Sequence, residues 1–412
     1  MLTLEQKRQF NDIIEELGKS LDITKEQHDS AVRSYDFVGN WLAATDSPLA
    51  KYKPEILPQG SFMLNTMIQP VKEGDELDID LVCRLEGKEP HWTQKDLKHA
   101  IGDRLKAHGT IRPLIVLPDG RRCWRLDYAK QSNFHMDILP SVTSKEYRIL
   151  LQRAFSERDI KDYDSLAIRI TDKNQKNYLI EQNHMLWLKS NPFGYGIWFE
   201  QKASIVFERA ILMSESVRPV PNYQRKKYPL HRIVQILKRH RDMMFDGDEH
   251  KPISIIITTL AANAYSKETD VITGLLNVIE RMAACIEERY SQQHGRQIKW
   301  IPNPVNPEEN FADKWAENSI KERNFYKWLT QIKIDMQSVT QQRGIHLIQE
   351  KMAMPFGERI VQKAFSNYSE NLHSLREEGR IYISSGSATL GAAGFSKVPN
   401  HNFHGTDQAF SG

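Results

Sequence analysis

The chain has 412 residues, 26% charged and 40% hydrophobic, enough to bury a large core in two lobes and typical of an ordinary soluble globular protein. The excess of basic over acidic side chains leaves a net charge of only +3, too small for a nucleic-acid-coating protein. Its three cysteines, Cys83, Cys123 and Cys285, are far apart and form no C-x-x-C pair, which argues against a structural zinc site and fits a reducing cytosol. The N-terminal stretch mixes acids and lysines without the apolar run of a signal peptide. The longest apolar run, around 253–264, is too short for a bilayer, so no membrane association and a cytoplasmic location are expected.

In chain order, residues 3 to about 45 predict two amphipathic helices. Thr24 and Gln27 form a capping box at the start of the second. From Leu57 to about Val142 the texture turns strand-like: a short helix after Gly60-Ser61, then the runs LDIDLVCRL, TIRPLIVLP, CWRLDYA and FHMDILP. Gly74-Asp75 and Asp119-Gly120 mark loops between them. The stretch from Ser144 to about Lys176 is ambiguous, with one helical segment, KEYRILLQRAFSERD. Residues 211–230, with three prolines and a basic cluster, read as a connection between lobes. Helical patterns follow in HRIVQILKRHRDMMF, ISIIITTLAANAYSK, VITGLLNVIERMAACIEERY and residues 312–343, and IPNPVNP interrupts them. The end is rich in glycine, serine and alanine.

The expected fold is therefore α+β and bilobal. Residues 1–215 would form a mixed-sheet core with the N-terminal helices, 216–382 a helical C-terminal lobe, and 383–412 a flexible tail.

In ELDIDLV, Glu76, Asp78 and Asp80 alternate with Leu77, Ile79 and Leu81, a strand with one apolar and one acidic face. Alternate carboxylates about 7 Å apart on one face suit a pair of divalent cations about 3.5–4 Å apart, the arrangement used in phosphoryl transfer. The cations would offset the repulsion and desolvation that otherwise disfavour such a strand. Magnesium matches all-oxygen ligands and travels with nucleotide phosphates, and manganese can substitute. Alone, a D-x-D strand more often has a solvated face. Gly60-Ser61 just upstream, where a tight turn opens a helix, adds a phosphate cradle of N–H groups and a hydroxyl. Asp137 in FHMDILP adds a third acid on a run that should pair beside the first.

Gly-Ser, an acidic alternation and a later single aspartate resemble the polymerase-beta-type nucleotidyltransferase superfamily. QGSF, ELDIDLV, FHMDILP, NPFGYGIWFEQK, YPLHRIVQILKRHRD and PFGERIVQKAF, across most of residues 50–365, resemble one branch of it. That branch is the bacterial cGAS/DncV-like nucleotidyltransferases of CBASS anti-phage systems. The resemblance implies a polymerase-beta-like core with the active site in the cleft below a helical lobe. It implies that Asp78 and Asp80 ligate two magnesium ions, and that Asp137 ligates one and helps activate the attacking hydroxyl. Gln59, Gly60 and Ser61 would meet donor phosphates, and Lys238 and Ser254 the triphosphate. Arg125 would meet a second nucleotide and Asn303 a base.

The implied activity joins ATP, alone or with other ribonucleoside triphosphates, into a cyclic di- or trinucleotide second messenger with release of pyrophosphate. No Cys/His cluster like the zinc thumb of the animal cyclic GMP-AMP synthase is present, so activation by long DNA is not expected. In one bacterial arrangement a ubiquitin-conjugation-like enzyme joins relatives to targets through the C-terminal residue, here Gly412. Two other readings stand beside this one: a template-independent RNA or tRNA-end nucleotidyltransferase, and a degenerate, non-enzymatic nucleotide sensor.

Overall fold

A computed structural model describes residues 2–72, 74–128, 133–144, 146–156, 163–204, 223, 227–378 and the short segments 382–383, 390–391 and 396–397. The N-terminal half is built on a mixed sheet of β1 (Glu55–Pro58), β2 (Leu77–Glu86), β3 (Trp124–Asp127), β4 (Phe134–Thr143), β5 (Ile168–Ile170) and β6 (Leu188–Ser190). Its order is β1-β2-β4-β5-β6, with β3 also paired to β4. Strands β2 and β4 run parallel, and the other pairings are antiparallel. β4 is therefore gripped along one edge by β2, and along the other by β3 and then β5.

Both central strands begin in strict alternation and end buried on both faces. Leu77, Ile79 and Leu81 of β2 and Phe134, Met136 and Ile138 of β4 fill one face of the sheet. They pack against α2 (Lys25–Ala43) and α4 (Gln94–Lys106). The opposite face is covered farther along, where Val82 and Leu139 meet α5 (Tyr147–Ser156) and Phe193 and Ile197 of α6 (Pro192–Ala203). The polar residues at the starts of β2 and β4 are left uncovered on that second face.

The C-terminal half is helical: α7 (Pro229–Phe245), α8 (Ser254–Ala264), α9 (Val271–Arg281), α10 (Asp313–Glu317), α11 (Ser319–Gln341), α12 (Ile345–Phe356) and α13 (Glu358–Glu377). Helix α6 joins the halves, because its Tyr195, Trp198 and Phe199 enter the helical core while Phe193 and Ile197 face the sheet. No helix among the described residues is long and apolar enough to cross a membrane.

Four expectations need correction. Helix α1 (Leu4–Ser20) packs into the helical lobe rather than the sheet domain: Phe10, Ile13, Ile14 and Leu17, with Leu21 beyond its end, join the core of α7–α9 and α13. Each such side chain is worth roughly 1.5–3 kcal/mol when buried, so the stripe decides where α1 goes. Asn371 of α13 also donates to Glu16 at 3.0 Å, and the Val271 N–H to Asn11 at 2.8 Å. TIRPLIVLP is not a strand. Arg112–Leu114 forms a 3-10 turn, and a single bridge joins Ile115 to Leu126, because Pro113 and Pro118 remove two N–H donors from the run. The helix predicted through residue 290 ends at Arg281, and Glu287–Ser291 (β7) pairs with Arg296–Trp300 (β8) about a turn in which Gly295 takes a positive φ. IPNPVNP, expected only to interrupt helices, supplies β9 (Pro302–Asn303) and β10 (Asn306–Asn310).

Of the expected connection at 211–230, residues 211–222 and 224–226 lie outside the described residues. In the expected tail, Tyr382–Ile383 (β11), Leu390–Gly391 (β12) and Ser396–Lys397 (β13) pair into a small sheet, and the rest, with Gly412, lies outside the described residues.

Candidate active site

Parallel register sets Asp80 beside Asp137 and Asp78 beside His135. All four occupy the uncovered face at the starts of β2 and β4, since residues two apart on a strand share a face. Antiparallel register then sets Arg125 of β3 on the other side of Asp137. Its guanidinium makes a bidentate pair, with Nε 2.8 Å and Nη2 2.7 Å from the two carboxylate oxygens. His135 bridges the other acids, its Nε2 lying 3.0 Å from Asp78 and its Nδ1 3.0 Å from Glu76. One ligand atom each from Asp78, His135 and Asp137 fall within 4.8 Å of one another.

The acids are unequally compensated. Burial pushes Asp78 up, but the His135 hydrogen bond and the charges of His135, Arg125 and Lys238 outweigh it and hold the carboxyl below its usual range. Asp80 has no such partner. Among the described residues its carboxylate accepts no hydrogen bond, and burial together with the charges of Asp78 and Asp137 pushes it up to about 7. His135 is raised by its hydrogen bond to Asp78 against the effect of burial.

Gly60 explains how the chain comes so close to Asp80. Its φ is +57°, and a Cβ there would stand 2.6 Å from Asp80 Oδ2. A side chain is excluded by both conformation and space. The Gln59 N–H donates to the Asp80 carbonyl at 2.9 Å, tying the Gly-Ser turn to β2. The expected short helix follows as α3 (Gly60–Met63).

Lys238 reaches this region from α7. It is only 6% exposed, and its ammonium donates to one described acceptor, the Thr66 carbonyl just beyond α3, at 2.9 Å. Burial, then the charge of Arg241 one turn along, lower its pKa to about 8, while Asp242 and Asp80 favour its charged form. A buried ammonium with one acceptor is poised for an anion. Ser254 is the first residue of α8, and the preceding Ile253 supplies no capping side chain for the first-turn N–H groups. The Ser254 hydroxyl oxygen accepts from Arg241 at 3.0 Å.

Asn303 is engaged elsewhere. Its Oδ1 accepts from the Val305 N–H at 3.1 Å and its Nδ2 donates to Glu309 at 2.7 Å, so its polar groups hold the β9–β10 turn. Cys123 lies near the acids, but burial and the charges of Asp137 and Asp80 push its thiol up to about 12, which removes it as a nucleophile.

The sequence does not single out His135 or Arg241, and it shows Glu76 only as the first acid of the alternation. His135 stands two residues before Asp137, so its place on the acidic face was legible once the strand was recognised. Arg241 stands one helical turn after Lys238, but the contact that distinguishes it joins two helices.

The oxygen donors fit hard divalent cations. Three carboxylates converge from paired strands, one of them accepts no hydrogen bond among the described residues, and the backbone beside it is cleared of any side chain.

Known proteins resemble this chain in sequence and in fold. The chain is 27% identical over 389 residues to a c-di-GMP synthase of Roseivirga ehrenbergii, covering 94% of each chain. It is 22% identical over 407 residues to the cyclic dinucleotide synthase CdnG of Bradyrhizobium diazoefficiens, covering 92% of this chain and 90% of that one. Its fold matches the structure of the CD-NTase CdnG from Bradyrhizobium diazoefficiens in complex with GTP. That match has a TM-score of 0.63 at 19% identity over 88% of this chain and 99% of the other. It also matches Vibrio cholerae DncV cyclic AMP-GMP synthase in complex with nonhydrolyzable GTP, with a TM-score of 0.51 at 15% identity over 88% and 93%. Residues 54–140, which hold the Gly-Ser turn and all three aspartates, match the nucleotidyltransferase domain of the cyclic GMP-AMP synthase DncV-like family.

Proposed function

We propose that this nucleotidyltransferase makes a cyclic oligonucleotide, a dinucleotide in the first instance, from ribonucleoside triphosphates with release of pyrophosphate. The observation that carries the reading is the facing pair Asp80 and Asp137, with Asp78 alongside, on the uncovered face of two parallel strands. Two divalent cations there, magnesium or manganese, would neutralise the donor phosphates and favour ionisation of the acceptor hydroxyl. Asp78 and Asp80 are the ligands to both, and Asp137 is a ligand to one and takes part in activating the hydroxyl.

Gln59, Gly60 and Ser61 would meet the donor phosphates beside Asp80. Lys238 and Ser254 would hold the triphosphate, which would give the buried ammonium the anion it lacks. Arg125, released from Asp137 as cations take over its charge compensation, would be free to meet a second nucleotide. Catalysis would then come from positioning and charge neutralisation, without a covalent enzyme intermediate.

Full-length similarity to cyclic dinucleotide synthases supports ring closure over single-nucleotide addition, and one relative's c-di-GMP product puts GTP beside ATP as a substrate to test. The resemblance to CBASS enzymes supports a role for the product in cytoplasmic anti-phage signalling, with Gly412 as the group a ubiquitin-conjugation-like enzyme would join to a target. Intact-mass analysis of the protein from infected cells, with and without Gly412, tests that last element.

The test of the activity is mass spectrometry of products formed from all four ribonucleotides with magnesium. A cyclic dinucleotide is expected from the wild type and none from the variant carrying Asp78→Ala and Asp80→Ala. Undiminished product from that variant would refute the reading.

A further inference from the structure

Helix α7 buries a row of cations, and three of them reach main-chain carbonyls across the molecule. Arg232 donates to Gly18, Lys238 to Thr66, and Arg239 to Gln69 and Pro70. These contacts fasten the helix to α1 and to the segment after α3. Arg241 is as deeply buried, at 5% exposure, but ends differently. Its Nη1 donates both to the Pro252 carbonyl at 2.8 Å and to the Ser254 hydroxyl oxygen at 3.0 Å. Its Nε donates to Asp242 at 2.8 Å, and Lys251 reaches the same Asp242 oxygen at 3.1 Å. The guanidinium is thus held in a fixed plane by groups on two sides.

A serine hydroxyl has one proton to give and lone pairs to accept with. At a helix start it ordinarily rotates among local partners. With Arg241 donating to its oxygen, the Ser254 hydroxyl cannot turn its proton toward the guanidinium. The proton is left for an acceptor elsewhere. The Pro252 carbonyl, the nearby main-chain competitor, is itself occupied by the same Nη1. The first turn of α8 has no capping side chain and contains no acidic residue, so the hydroxyl and that turn's N–H groups form a set of donors, while Asp242 is taken up by Arg241 and Lys251.

We propose that Arg241 is a positioning residue for the donor triphosphate, fixing the Ser254 hydroxyl as a donor toward phosphate. The inference rests on the reading of Lys238 and Ser254 as the triphosphate end of the site. It separates the contacts of Arg241 into two kinds. Those to Pro252 and Asp242 hold the loop between α7 and α8, and the one to Ser254 sets the chemistry of the hydroxyl. Lysine cannot replace it, because a single ammonium does not reproduce the planar fork that reaches Asp242 and the Pro252–Ser254 pair together.

The test is a double-mutant cycle by calorimetry, titrating the full-length protein with inorganic triphosphate and magnesium. Arg241→Lys should weaken binding about tenfold when Ser254 is present, the size of one charge-assisted hydrogen bond, and less than about twofold when Ser254 is already alanine. Equal weakening in both backgrounds would overturn the proposal, since Arg241 would then act by charge or through the fold. Ser254→Asp gives a second arm that leaves Arg241 intact. The new carboxylate should pair with the guanidinium, raise Tm by a few degrees and abolish triphosphate binding. Retained binding in Ser254→Asp would also overturn the proposal, even if Arg241→Lys unfolds. A wild-type protein that binds no triphosphate would remove the site reading itself and the proposal with it, an outcome distinct from equal weakening.

Discussion

The two ends of the β2–β4 pair carry buried charge in opposite ways. At the far end Arg84 is fully buried, yet one terminal amino group donates to Glu55 and the other to Glu86 and the Thr143 hydroxyl, with the Tyr147 ring 5.6 Å away. At the near end three aspartates face one another, paired with Arg125 and His135 and within the field of Lys238, and Asp80 is left without a hydrogen bond among the described residues. Opposite charges brought together in place act as architecture. Like charges held together at a cost mark a site where something charged must arrive.

The largest effect that could break this contrast is a reversal of roles. Asp80→Asn should reduce product formation by about a thousandfold or more, the scale expected when metal-mediated charge stabilisation is lost. It should leave Tm unchanged or higher, because repulsion is relieved. Arg84→Met should do the opposite, costing about 3 kcal/mol by taking the guanidinium from Glu55 and leaving the buried Glu86 to Lys53 alone, with turnover per folded molecule unchanged. Kinetics and melting on both variants check this.

The same contrast gives Asp80 a pH signature. Its folded pKa stands above that of the unfolded chain, so the native state binds the extra proton. Without divalent ions, its contribution to stability is greatest below about pH 4 and is lost as pH rises toward about 7. Asp80→Asn should therefore flatten the fall in Tm across that window, as scanning calorimetry in chelator would show.

Gly60→Ala sharpens the geometry at the same place. The Cβ would meet Asp80 at 2.6 Å and the φ is left-handed, so activity should fall about a hundredfold or more and stability by roughly 1–2 kcal/mol. Wild-type activity in this variant would mean that the close approach is not required.

Lys238→Met should raise the KM for the nucleotide about tenfold or more with little loss of stability, since a buried ammonium is being removed. In the wild type at about pH 8.5, nucleotide binding should draw a proton onto Lys238. Calorimetry in buffers of different ionisation enthalpy reads that uptake directly, and Lys238→Met should abolish it.

The smallest effect belongs to Asn303→Ala. Its hydrogen bonds are spent within the β9–β10 turn, so stability should drop by about 1 kcal/mol and turnover should stay unchanged.

Much of this contrast was legible in the chain. The alternation from Glu76 to Leu81, the isolated Asp137 and the Gly-Ser turn each carry a local signature of period or conformation. That the Asp137 run pairs beside the first strand was expected, but the parallel direction and the register that sets Asp80 against Asp137 come from the structure. What escaped the sequence is long-range. Nothing in LEQKRQFNDIIEEL says which core its stripe will join, and β7 and β8 are largely exposed, so they lack the apolar alternation that reveals a strand. The proline-bearing TIRPLIVLP had a strand's composition without its donors. His135 carries no acidic signature, so the alternation of carboxylates does not point to it, and the contact from Arg241 to Ser254 crosses from one helix to the start of the next.

Counting bound ions tests the central claim most directly. Wild-type protein with a nonhydrolysable GTP analogue, titrated with manganese and followed by electron paramagnetic resonance, should bind two ions per chain, and Asp80→Asn should lose at least one of them. No ion bound by the wild type, or an unchanged count in the variant, would contradict the assignment of these carboxylates as ligands.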